Sequence, residues 1–231
     1  MIRKTIQPLL VLMLASWPLL GGPLKVYIMA GQSNMQGHAQ KSTLPYMADD
    51  PVTKALYDKI LDEKGEARVY SDVSVAAFSE KGKGQQRKQG PLSIGFGKAL
   101  FFTDPPSFGP ELGFGITMVE KLKEPILIIK TAWGGKSLHT DYRPPSSKYE
   151  ALLKNEDAGK YYRLMMSSIR EVLNDPGKFC STYDSKEGLE LSGIVWFQGW
   201  NDLVDRNAYP ENVEGERFDL YSKLLGDLIR D

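Results

Sequence analysis

The chain contains few cysteines and histidines, the residues that build cross-links and metal sites, and it has no excess of charge of either sign. Of its 231 residues only Cys180 is a cysteine and only two are histidines, so an intrachain disulfide is impossible. Lysines and arginines number 29, as do aspartates and glutamates. This balance gives no reason to expect a nucleic acid or an anionic membrane as a partner. Cys180 has no histidine near it in the sequence, which does not favour a thiol nucleophile.

Long apolar runs are also missing, apart from one near the start of the chain. Two basic residues precede an uncharged stretch that lasts until Lys25, with an apolar centre at residues 9–15. This layout is typical of a secretory signal peptide, which we expect to span residues 1–22 and to direct the protein to secretion or to the periplasm. A membrane anchor is less favoured, because two prolines leave only about ten apolar residues uninterrupted.

Behind this leader, patterns typical of strands and of helices alternate. Continuous apolar runs predict buried strands, and apolar residues at helical spacing predict the helices between them. The predicted strands lie at residues 25–30, 68–78, 125–130 and 191–197, and the predicted helices at 52–61, 115–122, 158–173 and 218–228. Residues 80–110 are rich in Gly, Pro and polar side chains and predict a long loop. The alternation predicts one α/β domain over residues 23–231, with a parallel sheet covered on both faces.

Three of the predicted strands end in glycine and polar residues, and ligands of such sheets bind outside the carboxyl ends of the strands. After the first strand, Gly31 permits a tight turn, and Ser33 follows as a candidate nucleophile or as a simple helix cap. After the third, the pair Gly134-Gly135 either brings backbone N–H groups close to a ligand or forms an ordinary turn. After the last, the side-chain amide of Gln198 is a candidate donor to an oxyanion.

The coincidence of these three strand ends predicts a pocket that combines a hydroxyl with several N–H donors. Each strand end alone is compatible with a capped turn, whereas three at one edge of the sheet favour a site. Trp133 and Trp200 beside the glycines would stack against a sugar ring or belong to the core. Asn201 and Asp202 are positioned to shape a polar pocket.

Four short segments stand out when the strand ends are taken together. They are GQSNM at 31–35, GPELGF at 109–114, WGGKSL at 133–138 and WFQGWND at 196–202. In this order they resemble a branch of the SGNH hydrolase superfamily, the sialic acid-specific 9-O-acetylesterases and the acetyl xylan esterases of carbohydrate esterase family six. The resemblance implies a flavodoxin-like three-layer α/β/α sandwich that hydrolyses O-acetyl esters of carbohydrates. It implies no metal and no organic cofactor.

The resemblance also implies a role for individual residues. Ser33 would be the nucleophile. The oxyanion hole would consist of the Ser33 N–H, a backbone N–H from Gly134 or Gly135, and the side chain of Gln198, which stands where many members of the superfamily have an asparagine. Four further residues would lie around the pocket: Gln32, Asn34, Glu111 and Lys136. From its position after the last strand, we expect Asp202 to bind substrate as well.

One block of the resembling family does not occur in this sequence. The family carries Asp-x-x-His close to its C-terminus, where the histidine is the general base and the aspartate orients it, and neither His38 nor His139 follows an aspartate at that spacing. A serine hydroxyl is a weak nucleophile unless a base accepts its proton. Three explanations therefore stand side by side: the chain lacks a last strand and helix that carry the block, one of the two histidines replaces it, or the protein is a catalytically impaired glycan-binding relative.

The first explanation has a consequence for stability. A missing strand and helix would leave one sheet edge and one apolar helix face exposed to solvent. On that explanation we expect the isolated chain to be poorly stable or prone to aggregation.

Overall fold

The structure, a computed structural model, describes residues 21–81, 84–98, 106–148, 157–211 and 215–231. Nearly all of the predicted leader lies outside the described residues, so the signal peptide stays a prediction. Within the described ranges, no helix combines the length and the apolar character needed to cross a membrane.

A five-stranded sheet forms the centre of the molecule. The strands of the described residues are β1 (Leu24–Gly31), β2 (Ala39–Gln40), β3 (Tyr70–Lys81), β4 (Gly84–Leu92), β5 (Ser107–Phe108), β6 (Ile126–Ala132) and β7 (Leu189–Phe197). The central sheet has the order β4-β3-β6-β1-β7, and β2 and β5 form a separate antiparallel pair. Strands β3, β6, β1 and β7 are parallel, which confirms the predicted parallel sheet, and β4 runs antiparallel beside β3.

Helices cover both faces of this sheet. They are α1 (Ser33–Gln36), a 3-10 turn (Lys41–Thr43), α2 (Pro45–Ala48), α3 (Pro51–Ile60), α4 (Pro110–Leu122), α5 (Lys160–Asn174), α6 (Pro176–Phe179), α7 (Trp200–Val204) and α8 (Asp219–Arg230). Buried side chains of α3 and α4 pack on one face of the sheet, together with Met35 of α1. Buried side chains of α5, α6 and α8 pack on the other face. The three-layer α/β/α architecture is therefore confirmed.

The sequence pattern of β6 explains its central position. Every residue from Ile126 to Ala132 is buried, as a strand covered on both faces requires. The apolar residues that predict this strand are also the reason why it is buried, because their side chains are removed from water on both faces of the sheet. Lys130 interrupts the run, and a buried lysine needs partners for its charge.

The prediction of one long loop over residues 80–110 is wrong. Residues Gly84–Leu92 form β4, which pairs antiparallel with β3 along its length. The strand reads GQQRKQGPL and lacks the β-branched and aromatic residues that favour strands, so its antiparallel pairing with the preceding strand β3 decides its conformation. Helix α4 likewise begins at Pro110 instead of residue 115, with proline in its first turn.

Strand β7 forms one edge of the sheet and is less covered than the other parallel strands. No residue of β7 is fully buried, and the side chains of Leu191, Ile194 and Phe197 are exposed. Unpaired edge strands with apolar residues are sites of unwanted association. The stability of the isolated chain stays a prediction.

The register of the sheet places the ends of three strands side by side. Gly31 at the end of β1 pairs with Ala132 at the end of β6 and with Phe197 at the end of β7. The chain reaches β3 and β6 on one side of β1 before it crosses to β7 on the other side. Ligands of open α/β sheets bind at such a change of direction, so the residues that follow these three strands share one candidate site.

Candidate active site

Ser33 occupies the first position of the one-turn helix α1, directly after β1. At Gly31 the backbone has a φ of 152°, and a Cβ would collide with the carbonyl oxygen of Phe197 in β7, so glycine is required where the chain leaves the strand. The first hydrogen bond within α1 joins the Gln36 N–H to the Gln32 carbonyl at 2.9 Å. The N–H of Ser33 precedes this bond and therefore has no acceptor within the helix.

The loop after β6 passes beside Ser33. A Cβ built on Gly134 would lie 3.9 Å from the Cβ of Ser33 and 2.9 Å from Oε1 of Gln36. Gly134 and Gly135 are exposed, and Ser33 is half-buried at the same surface. The structure thus brings the hydroxyl-bearing residue and the glycine pair together, as an oxyanion hole built from both would require.

Hydrogen bonds fix the glycine loop to the end of β1. The Trp133 N–H donates to the Gly31 carbonyl at 3.1 Å. The hydroxyl of Tyr142, which is fully buried, donates to the same carbonyl at 2.7 Å. Because the Gly31 carbonyl accepts both hydrogen bonds, the loop after β6 is fixed in position relative to the turn that carries Ser33.

Gln32 joins the end of β1 to the segment that follows β7. Its buried side-chain oxygen accepts from the backbone N–H groups of Gly199 at 3.2 Å and Asn201 at 3.3 Å. Its amide nitrogen lies 3.4 Å from Oδ1 of Asn201. The structure places Gln32 behind Ser33 as a connection between strand ends, and its side chain is almost closed off from solvent.

The amide of Gln198 is held by protein acceptors. Its nitrogen lies 2.5 Å from Oδ2 of Asp202, 3.0 Å from the Lys136 carbonyl and 3.3 Å from Oε1 of Gln32. The hydroxyl of Tyr221 lies 3.0 Å from its side-chain oxygen. Two N–H bonds therefore serve three acceptors, and donation to an oxyanion would require one of these hydrogen bonds to be exchanged.

Asp202 is 1% exposed and supports the backbone of the glycine loop. Its carboxylate accepts from the backbone N–H groups of Leu138 at 2.8 Å and His139 at 2.9 Å. It also accepts from the hydroxyl of Tyr209 at 2.8 Å, whose pKa is raised by burial and by this carboxylate. Asp202 therefore holds the loop after β6 through its backbone, and a direct contact of this residue with substrate stays a prediction.

Asn34, Lys136 and Asn201 provide the polar surface at this edge of the sheet. The side chain of Asn34 is exposed beside Ser33. The Lys136 ammonium lies 4.2 Å from the ring centre of Tyr161 and 3.7 Å from a carboxylate oxygen of Asp141. Nδ2 of Asn201 lies 4.0 Å from the position of a Cβ on Gly135. These three residues could contact a substrate without rearrangement of the core.

Glu111 is fully buried and does not reach the pocket surface. One of its carboxylate oxygens accepts from the Gly109 N–H at 2.9 Å, and the other lies 2.5 Å from the ammonium of Lys130. The prediction that Glu111 contacts substrate is not supported by this position. A carboxylate in the interior is stable only with such partners, and Lys130, the partner in β6, was not recognised from the sequence as part of the site.

The two tryptophans near the glycines have different positions. Trp133 is buried and packs against Tyr142 and Tyr161, with ring centres 6.2 and 5.4 Å away. It belongs to the core and offers no surface to a sugar. Trp200, the first residue of α7, is 61% exposed, so it alone of the two is accessible to a carbohydrate.

Both histidines have a lowered pKa. His38 follows α1. Removal of part of its ring from solvent lowers its pKa, and the positive charges of Lys98 and Lys130 lower it further. For His139, burial lowers the pKa and the charge of Arg143 acts in the same direction. Nδ1 of His139 lies 3.1 Å from the hydroxyl of Thr140. A lowered pKa favours the neutral ring, the form in which a histidine can accept a proton.

The supporting tyrosines were also missed by the sequence analysis. The hydroxyls of Tyr142, Tyr209 and Tyr221 bond to Gly31, Asp202 and Gln198 in turn. Tyr142 and Tyr209 lie outside the predicted strands and helices, and Tyr221 lies in the predicted last helix, far from Gln198 in the sequence. The only sequence signal was their chemistry, since a buried tyrosine hydroxyl usually finds a hydrogen-bond partner.

The family of the chain follows from a comparison with known protein families. The sequence profile of the family described as carbohydrate esterase, sialic acid-specific acetylesterase matches residues 23–225. The chain belongs to this carbohydrate esterase family. The match spans all three strand ends and confirms the resemblance drawn from the four short segments. No curated protein matches this family member significantly in sequence.

Two solved structures are similar to this carbohydrate esterase family member. A protein from Arabidopsis thaliana has 17% sequence identity and a TM-score of 0.49, with 90% of this chain and 67% of that chain covered. A carbohydrate acetylesterase from Xanthomonas citri has 15% identity and a TM-score of 0.45, with 89% of this chain and 37% of that chain covered. The chain thus spans about two thirds of the first structure and little more than one third of the second.

Proposed function

We propose that this protein is a serine esterase that removes O-acetyl groups from carbohydrates of the sialic acid or xylan type, with Ser33 as its nucleophile. The proposal rests on one observation above the others: Ser33 lies half-buried directly after β1, beside the exposed residue Gly134. Membership in the carbohydrate esterase family supplies the substrate class.

In the proposed reaction, the Ser33 hydroxyl attacks the acetyl carbonyl carbon and gives its proton to a base. The N–H groups of Ser33 and of Gly134 or Gly135 donate to the oxyanion that forms. The sugar hydroxyl then leaves with the proton, which yields an acetylated Ser33. A water molecule attacks this ester, and acetate leaves as Ser33 regains its proton. Gln198 would join the oxyanion hole if it releases its longest contact, the one to Gln32 at 3.3 Å.

Two histidines of this chain are candidates for the base that accepts the proton from Ser33. His38 and His139 both lie near the end of the sheet, and their lowered pKa values suit the role. The resemblance favours a third candidate, the histidine of an Asp-x-x-His block that this sequence does not contain. We further propose that the enzyme acts outside the cytoplasm, on the strength of the signal-peptide pattern of residues 1–22.

A non-catalytic glycan-binding protein is the second candidate. It is favoured by the exposure of Trp200, whose indole offers a flat apolar face of the kind that stacks on sugar rings. The polar side chain of Asn201 follows it directly. This candidate predicts sugar binding without a reactive serine.

A fluorophosphonate probe distinguishes the two candidates. We expect the probe to form a covalent adduct that mass spectrometry maps to Ser33, because the adduct mimics the tetrahedral intermediate and uses the same N–H donors. Acetylated sialic acid or acetylated xylan should slow the labelling by competition. The variant Ser167→Ala, which alters an exposed serine of α5, should be labelled at the normal rate. Sugar binding with no adduct at Ser33 would establish the glycan-binding alternative instead.

A further inference from the structure

The carboxyl half of β6 carries a buried ammonium group beneath the turn that holds Ser33. Lys130 pairs in register with Met29 of β1, and its side chain is almost entirely buried. Its nitrogen donates to the Gln36 carbonyl at 2.7 Å, to the Phe96 carbonyl at 2.8 Å and to the Glu111 carboxylate at 2.5 Å. These three acceptors use all three N–H bonds of the ammonium form.

Each acceptor belongs to a different segment around the nucleophile. Gln36 is the last residue of α1, whose first residue is Ser33. Phe96 lies two residues before Lys98, and the backbone N–H of Lys98 donates to the Gly37 carbonyl at 2.8 Å. One charged group therefore connects the end of the nucleophile helix with the segment at residues 96–98.

Glu111 extends the same connection to a third segment. Its second oxygen accepts from the Gly109 N–H at 2.9 Å. The backbone of Gly109 lies so close to Gly37 that a Cβ on either residue would collide with the other. The ion pair thus fixes the loop that presses directly against the residue after α1.

A role limited to stability does not account for this arrangement. Burial lowers the pKa of Lys130, whereas the Glu111 carboxylate acts in the opposite direction, so a charged pair here has a large desolvation cost. Apolar residues of similar volume often replace buried ion pairs without loss of stability. Apolar residues, however, cannot donate a hydrogen bond to the Gln36 carbonyl and so cannot fix its position.

We propose that Lys130 and Glu111 form a positioning pair that fixes helix α1, and with it the Ser33 hydroxyl, relative to the oxyanion donors. The catalytic part of this inference rests on the proposed esterase function. The positional part concerns the order of α1 and can be measured without any turnover.

The double variant Lys130→Met/Glu111→Gln tests the proposal. Lys130→Met alone strands a buried carboxylate and is expected to lower Tm by about 10 °C. The double variant removes both charges, and the amide oxygen introduced by Glu111→Gln remains an acceptor for the Gly109 N–H, so Tm is expected to return to within about 4 °C of the parent. Its kcat for p-nitrophenyl acetate should still be about 100-fold lower, with KM changed less than about threefold, because the nucleophile is displaced and binding is retained.

Hydrogen–deuterium exchange supplies the readout that does not depend on activity. In the double variant, the hydrogen-bonded amides within residues 33–37, those of Gln36 and Gly37, should exchange at least about tenfold faster, while those of β6 exchange as in the parent. The matched control Lys25→Met/Glu190→Gln removes a lysine–glutamate pair of 2.7 Å at the opposite end of the sheet and should change neither kcat nor exchange at residues 33–37.

The outcomes separate the two proposals. A folded double variant with parental exchange at residues 33–37 overturns the positioning role, whatever its activity. Faster exchange at residues 33–37 in a protein whose parent form hydrolyses no ester supports the positioning of α1 and overturns the esterase function alone. Faster exchange with parental kcat would show that the position of α1 does not limit catalysis, and the proposal would be wrong.

Discussion

Replacement of Ser33 by alanine is expected to lower kcat for p-nitrophenyl acetate at least about 1,000-fold. The variant loses the proposed nucleophilic hydroxyl after β1, so no acetyl-enzyme can form, while the backbone donors that bind the substrate remain. The Ser33 side chain is half-buried at the surface, and its truncation to alanine should leave the unfolding transition unchanged.

Initial rates for the parent and the variant, compared with the rate in buffer, measure this effect. Ser167→Ala serves as the control, because it removes an exposed hydroxyl that bonds only within its own helix. Turnover by Ser33→Ala equal to that of the parent would place the nucleophile elsewhere and remove the basis of the proposed mechanism.

Replacement of Asp202 by alanine is expected to have the second-largest effect. The buried N–H of Leu138 and the buried hydroxyl of Tyr209 would lose their acceptor, and buried donors without partners destabilise a protein by about 1–3 kcal/mol each. We expect a loss of about 3–5 kcal/mol in the free energy of unfolding. The kcat of the folded fraction should fall about 100-fold, because the glycine loop is no longer fixed.

Urea unfolding followed by circular dichroism, together with turnover measured well below the unfolding midpoint, separates the two effects. Asp202→Asn keeps one acceptor oxygen and should lose less stability than the alanine variant. Asp184→Ala, which removes an exposed carboxylate that accepts from the Lys186 N–H, is the surface control and should resemble the parent. A stable, fully active Asp202→Ala would show that the loop holds its position without this carboxylate.

The elements predicted correctly from sequence are those whose own residues decide their structure. Strand β6 is apolar almost throughout, and β1 ends in a glycine that no other residue could replace. Helix α3 begins after Asp50, whose side chain accepts from the Val52 N–H at 2.9 Å, and has proline at its first position. In these cases local propensity and tertiary packing favour the same structure.

The elements that were missed depend on partners outside their own segment. Strand β4 is polar and becomes a strand only beside β3. Glu111 follows a proline at the start of α4, where an exposed acidic residue is common. In the structure it is buried and forms an ion pair with Lys130. Trp133 adjoins the glycine pair but turns inward between Tyr142 and Tyr161. Sequence alone located the strand ends of the site and could not tell which of their side chains face the solvent.

Ser33 directly follows β1, a strand paired on both sides, and this position affects how the activity would be lost on heating. When reactive groups lie on peripheral loops, local unfolding of the loop often abolishes activity, because such unfolding requires little free energy. Here the residues around Ser33 bond to two neighbouring strands, through the Gln32 N–H to the Phe197 carbonyl and the Trp133 N–H to the Gly31 carbonyl. Thermal inactivation should therefore coincide with melting of the whole sheet, without a folded but inactive form at intermediate temperatures.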